Sequence, residues 1–192
     1  MNQLSFDLGG PEPLQPEDPD APNLFYALRP PGDVGLEIMG EASEVSRRER
    51  LRPPRPASVL HLTLCKIGNY GHSASVIETA RRIGGGIARG HFDVALTRLM
   101  HFQGAGAVVL AADRTAPELS ALNGDLVREL RREGFKPPAG FKPHVTFVYE
   151  KRFLVAEAPL SRPLGWRATE FELVLSPPGE TRHEVLGVWP LV

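Results

Sequence analysis

With 192 residues, 42% of them hydrophobic and 23% charged, the chain can bury the core of one domain, and global disorder is excluded. It has no run of 18 apolar residues and no basic segment leading into an apolar one at its N-terminus. Neither a membrane-spanning helix nor a signal peptide is therefore expected, and a cytoplasmic protein is the default. The one cysteine, Cys65, leaves no internal disulfide and no multi-cysteine metal site.

The net charge of −1 is the sum of two unlike parts. Residues 1–23 hold five acids, five prolines and no Lys or Arg, a composition that cannot offset the entropy of ordering, so a disordered acidic leader is expected there. Residues 24–192, expected to form one domain of two lobes, keep 22 basic and 18 acidic residues, a net of +4. A mildly basic domain suits an anionic ligand. Within the leader, residues 3–8 (Gln3-Leu4-Ser5-Phe6-Asp7-Leu8) look like the short peptides with which bacterial proteins dock on the replication sliding clamp; loss of clamp binding on deleting the first ten residues is the test.

In chain order, Leu24–Leu28 reads as a buried strand closed by Arg29-Pro30-Pro31-Gly32. Apolar residues at helical spacing over 33–49 predict a helix that ends in Arg47 and Arg48, with Pro53-Pro54-Arg55-Pro56 as a rigid connector. The five arginines from Arg47 to Arg55 form a basic cluster, either a solvated helix end or a guide for RNA. Val59–Ile67 alternates strictly, which sets Leu60, Leu62 and Leu64 on one face, and His61, Thr63 and Cys65 on the other. By the same alternation Lys66 falls on the apolar side. Ser73 is a candidate N-cap for a helix over 74–90, weakened late by Gly84-Gly85-Gly86. Strands are expected at Phe92–Leu99, with His101 at a solvated strand end, and at Ala107–Ala112; a Thr115/Glu118 capping box opens a helix to about Glu133. After a Pro/Gly connector, His144–Tyr149 is a strand with Val145 and Phe147 on one face and His144 and Thr146 on the other. A loop over 153–165 and a hairpin of strands 166–175 and 184–190 complete an α+β chain with mainly antiparallel pairing.

Two of these strands repeat one pattern: His61-Leu62-Thr63-Leu64 and His144-Val145-Thr146-Phe147. Each follows a Pro-containing connector and turns a His and a Thr away from its apolar face. A histidine titrates near neutral pH and can act as acid or base. Breaking a phosphodiester needs one group to deprotonate the nucleophile and one to protonate the leaving oxygen, so two histidines can do it without a metal. A Thr two residues along projects to the same face, about 7 Å away, where its hydroxyl can hold a phosphate oxygen. No dinucleotide fingerprint, Walker A or HExxH sequence is present, and no cofactor is expected.

The paired motifs resemble the 2H phosphoesterase superfamily, and within it the bacterial 2′-5′ RNA ligase family, whose members are better described as RNA 2′,3′-cyclic phosphodiesterases. The likeness extends to LFYAL with Arg-Pro-Pro, HLTLCKIGNY, FKPHVTFVYEKR and TRHEVLGVWPL, and covers roughly 23–192. It implies a bilobal α+β fold, in which two pseudo-symmetric antiparallel lobes with outer helices flank a central cleft. It implies His61 and His144 as the acid–base pair and Thr63 and Thr146 as phosphate contacts. His144 is expected to activate water and His61 to protonate the leaving ribose oxygen. The family pattern has a basic residue after two apolar ones behind the second motif; here Val148-Tyr149-Glu150 intervene. Arg182, in the turn before the last strand, and Tyr26 are candidate substrate contacts, core packing being the plainer reading for Tyr26. The expected activity is hydrolysis of RNA or nucleotide 2′,3′-cyclic phosphates by a monomer, with 2′-5′ ligation as the reverse chemistry. The alternatives are an ADP-ribose cyclic phosphate, a cyclic nucleotide or a 2′-5′ oligonucleotide as substrate, or a non-catalytic RNA- or nucleotide-binding module.

Overall fold

The computed structural model describes residues 17–112, 117–152 and 154–192. The clamp-like hexapeptide at residues 3–8 and Thr115 of the expected capping box lie outside the described residues. In order, the elements are β1 (Asn23–Leu28), α1 (Gly32–Arg48), β2 (Leu62–Asn69), α2 (Ala74–Gly85), β3 (Phe92–Phe102), β4 (Ala107–Ala111), α3 (Pro117–Arg132), β5 (His144–Tyr149), β6 (Ala158–Ala168), β7 (Glu170–Ser176) and β8 (Glu184–Pro190). A single 3-10 turn, Ala57–Val59, leads into β2.

The strands form one sheet in the order β6-β3-β4-β5-β2-β1-β7-β8, and every pairing is antiparallel. It divides into two four-stranded halves, β2-β1-β7-β8 and β5-β4-β3-β6. They meet where β2 and β5 run side by side with Leu62 opposite Val145. The two motif strands are thus the inner strands of the two lobes.

Apolar spacing decides which face the helices cover. Ile38, Ala42 and Val45 of α1, Val76, Ala80 and Ile83 of α2, and Leu119, Leu122, Leu126 and Leu130 of α3 share one core with Tyr26, Leu62, Leu64, Phe147 and Phe171 of the sheet. Each such large side chain contributes roughly 1.5–3 kcal/mol on burial. Two smaller clusters, Phe25 with Ala27 and Val174, and Ala107 with Val109 and Ala111, form separately from that core. Among the described residues no helix is long and apolar enough to cross a membrane.

Several expectations shift. The stretch expected as a loop over 153–165 contains most of β6, and the strand expected over 166–175 is two strands parted at Thr169. Pro159 and Pro163 are tolerated in β6 because it is an edge strand, where a missing N–H costs no ladder bond. Helix α2 stops at Gly85, short of residue 90. Ser73 holds its N-cap position, yet its hydroxyl meets Ser75 Oγ at 3.3 Å and caps no backbone N–H. Residues 18–22, assigned above to the leader, lie against the end of β2: Asp18 N–H donates to Asn69 O, and Asn69 Nδ2 to the carbonyls of Pro19 and Ala21.

Candidate active site

Antiparallel pairing decides how the two motifs face each other. Continuing the Leu62–Val145 register by one residue each way sets His61 opposite Thr146 and Thr63 opposite His144. All four side chains fall on one face of the sheet by the period of two. They line a single cavity of about 180 Å³. The structure brings these four predicted residues together.

The alternation behind the first motif does not persist. Tyr26 pairs with Cys65 and Ala27 with Thr63, so Leu64 is an extra residue, a β-bulge. The same slip recurs in the second motif: Val108 pairs with Val148 and Val109 with Thr146, leaving Phe147 extra. A bulge exchanges the faces of the residues beyond it. Cys65, expected beside His61 and Thr63, is therefore buried in the main core, where burial pushes its thiol up to about 12. Lys66, expected on the apolar side, and Tyr149, its counterpart in the second motif, emerge on the cleft side.

Each imidazole is fixed in the same way. Nδ1–H of His61 donates to Val59 O at 2.8 Å, and Nδ1–H of His144 donates to Lys142 O at 2.6 Å. A carbonyl only accepts, so the proton is on Nδ1 in both rings and Nε2 is left as the reactive nitrogen. Phe25 stacks on His61 at 4.8 Å between ring centroids, and the edge of Phe102 meets His144 at 4.9 Å. Arg29 anchors the approach to His61: it grips Glu172 with two nitrogens, at 2.9 and 3.1–3.2 Å, and donates to Ser58 O at 2.7 Å.

Electrostatics separate the two rings. His61 is held down to about 3, by burial first, opposed by its bond to Val59, and then by His183, Arg29 and Arg55. His144 is lowered by burial, opposed by its bond to Lys142. Both are neutral at pH 7 in the free protein.

The cavity has further walls that sequence reasoning missed. His183 meets His61 edge-on at 4.9 Å, and burial, with Arg29 and Arg55, lowers it to about 4. Arg55 lines the cavity with its guanidinium carbon 5.7 Å from the centre of the Tyr149 ring. Asn23 and Ser176 also line it. Among the described residues, Asn23 Oδ1 and His183 Nδ1 at this cavity are buried without a hydrogen-bond partner. The signal for His183 was its place in Thr181-Arg182-His183, beside the more conspicuous arginine; Arg55 was indistinguishable from its four arginine neighbours.

Two candidates fall elsewhere. Tyr26 is fully buried, with its hydroxyl donating to Ala80 O of α2 at 2.6 Å, so it packs in the helical core and reaches no substrate. Core packing, the plainer reading of Tyr26, is what the structure shows; Phe25, one residue earlier on the opposite face of β1, lines the cavity. Arg182 is exposed and paired with Glu180 outside the cavity. His101, expected at a solvated strand end, is buried: Nδ1 accepts from Val155 N–H and Nε2 donates to Glu150 O, stapling the turn after β5.

A second cavity of about 330 Å³ shares Thr63 and His144 with the first and extends past Lys66, Asn123, Phe141 and Lys142. Among the described residues no group of three or more His, Cys, Asp or Glu side chains is placed to hold a metal ion.

A family model described as the 2′-5′ RNA ligase superfamily matches residues 34–178. E. coli LigT complexed with NADP+ superposes with a TM-score of 0.74 at 25% sequence identity, covering 88% of this chain and 98% of LigT. TT0787 of Thermus thermophilus gives 0.68 at 25% identity, covering 88% and 97%. A crystal structure described as a phosphoesterase gives 0.75 at 23% identity, covering 90% and 99%, a likeness of fold. None of the curated proteins matches this sequence.

Proposed function

The chain belongs to the 2′-5′ RNA ligase superfamily, and on that premise we propose that it hydrolyses 2′,3′-cyclic phosphates at RNA or nucleotide ends without a metal. The observation that carries this is the cavity in which both motifs meet, with two imidazoles locked by Nδ1 and free at Nε2, each opposite the other motif's Thr. A cyclic phosphate suits a cavity of about 180 Å³, because its ring opens with no large group having to depart. The adjoining cavity gives the attached nucleoside room beside Thr63 and His144. LigT, crystallised with NADP+, is a relative that accepts a phosphate-bearing nucleotide.

In this reading the Thr63 and Thr146 hydroxyls donate to the non-bridging oxygens. One imidazole takes a proton from water as its oxygen attacks phosphorus. The other gives a proton to the ribose oxygen as its P–O bond breaks, leaving a phosphomonoester. With a ribose 5′-hydroxyl in place of water, the same steps form a 2′-5′ linkage.

The expected division of labour gave water to His144 and the leaving oxygen to His61. The surroundings favour the opposite. A bound phosphate raises both rings, but only His61 faces Arg29, Arg55 and His183. One proton divided between the two therefore rests on His144. His61 then takes the proton of water and His144 protonates the leaving oxygen.

The test is incubation of the purified protein with a 2′,3′-cyclic-phosphate oligonucleotide in excess chelator. We expect turnover by the wild type and losses of about 10²–10⁴-fold for His61→Ala and for His144→Ala, the usual range for an acid–base group. No turnover by the wild type, or equal turnover by all three, sinks the reading.

A further inference from the structure

We propose that Arg55 clamps the phosphate in this cavity. The inference rests on the phosphodiester reading above and adds the cation which that reading lacks.

Arg55 is placed by backbone, not by its own flexible side chain. Pro54 and Pro56 flank it, and a following proline confines a residue to extended conformations. Its N–H donates to Phe147 O at 2.7 Å, which staples the connector to the second motif strand one residue beyond Thr146. Six residues later the same connector delivers His61. Arg55 is thus tied to both motifs, and the connector that separates α1 from β2 serves to present it.

The side chain meets no counter-charge. Arg29 is saturated by Glu172 and Ser58 O, and Arg182 is paired with Glu180. Among the described residues the Arg55 guanidinium forms no ion pair and donates to no acceptor. The side chain lies over the Tyr149 face, and no carboxylate lines the cavity it enters. A cation–π seat of this kind is worth about 0.5–1 kcal/mol and leaves the N–H donors of the guanidinium unused. A planar fork of donors aimed into a cavity that already offers two Thr hydroxyls and His183 matches the non-bridging oxygens of a phosphate. Tyr149 then has a defined part: it occupies the bulge-turned position behind the second motif and supports a cation brought in from another element.

The experiment uses the full chain and two readouts, inorganic phosphate binding by calorimetry and steady-state hydrolysis of a 2′,3′-cyclic nucleotide. Arg55→Met keeps the stem and removes the charge; Arg55→Lys keeps the charge and removes the fork; Arg52→Met, in the same connector but outside the cavity, is the control. We expect Arg55→Met to weaken phosphate binding at least about tenfold and to lower kcat/KM about 10²–10³-fold, with kcat falling as well as KM rising. Arg55→Lys should recover part of both, and Arg52→Met should stay within about twofold of wild type. A melting temperature equal to wild type confirms that the variants are folded, and Arg55→Lys carries the comparison should Arg55→Met be unstable. Phosphate binding by Arg55→Met equal to that of wild type or of Arg52→Met overturns the proposal, as does a wild type that binds no phosphate. Should the wild type turn over no cyclic phosphate while phosphate binding still depends on Arg55, the clamp stands and the phosphodiesterase reading falls. Should hydrolysis depend on His61 and His144 but not on Arg55, only the clamp falls.

Discussion

At the scale of single residues, the two histidines are alike in how they are held and unlike in what surrounds them. Each donates Nδ1–H to the carbonyl two residues before it, so either Nε2 has the geometry to act first as base or first as acid. The difference is charge: Arg29, Arg55 and His183 bear on His61, and no such group is among the causes that lower His144. On that difference rests the proposal that His144 is the acid, and the nature of the leaving group tests it. A nitrophenolate departs without being protonated, so a diester of that kind needs the base and not the acid. His144→Ala should recover at least about tenfold of its loss on a nitrophenyl phosphodiester relative to a cyclic phosphate, while His61→Ala stays equally impaired on both. The reverse pattern would restore the order expected from sequence. The shared face of each histidine and its threonine was legible beforehand because a period of two puts residues i and i+2 on one face whatever the rest of the fold does. His183 and Arg55 were not, because each reaches the cavity through a connection whose path no local pattern dictates.

At the scale of elements, the limit of legibility is the bulge. Strict alternation held through the motif and failed just beyond it in both copies, at Cys65 and at Val148, because Leu64 and Phe147 are the extra residues. A bulge has no dependable local sequence signal, so the faces of Cys65 and Lys66 were read one residue out of phase. The end of α2 shows the converse, a local feature explained only by tertiary contact. Gly84-Gly85-Gly86 reads as a weakness in a helix, but a Cβ on Gly84 would come within 2.6 Å of the Trp189 indole, which also crowds Gly187 on its own strand. The glycines form the slot into which β8 presses its tryptophan. Alanine would ordinarily gain about 1 kcal/mol over glycine in a helix. Overpacking against a ring held on both sides costs about 1–3 kcal/mol. Gly84→Ala is therefore expected to be destabilising by up to about 2 kcal/mol, read as a lower urea midpoint at unchanged slope. A gain in stability would mean that the indole yields and the slot is not tight. Catalysis should survive, because the contact lies on the helical side of the sheet.

At the scale of the whole molecule, the −1 net charge conceals a domain at +4, and the structure places part of that excess inside the cleft. Arg55 lines the cavity with three histidines at the seam of the two lobes; burial lowers all three rings, and the charge of Arg29 and Arg55 lowers His61 and His183 further. That arrangement has a thermodynamic consequence. Unfolded histidines titrate near 6.5, whereas folded His61 and His183 sit at about 3 and about 4. Above pH 6.5 neither state binds these protons and the groups are neutral in both. Between 6.5 and the folded values the unfolded chain binds protons that the folded chain refuses, so stability falls as the pH falls. Carboxylates whose folded values are depressed act in the same direction but later: Asp125 is lowered from 3.8, and Glu150 from 4.5 to about 2 through its bonds to Arg152. The interval from pH 6.5 to 4.5 therefore isolates the histidines. Over it the urea-unfolding free energy should drop on the order of a few kcal/mol, less for the partly exposed His183 than for His61. His61→Gln should flatten the slope by close to one proton's worth, and Arg55→Met by less, since it removes one of several causes. A profile flat from 6.5 to 4.5, with loss only below 4, would show that the seam accepts protons freely. His61 would then not be held below the ordinary histidine value, and its assignment as base, which rests on that difference, would fall.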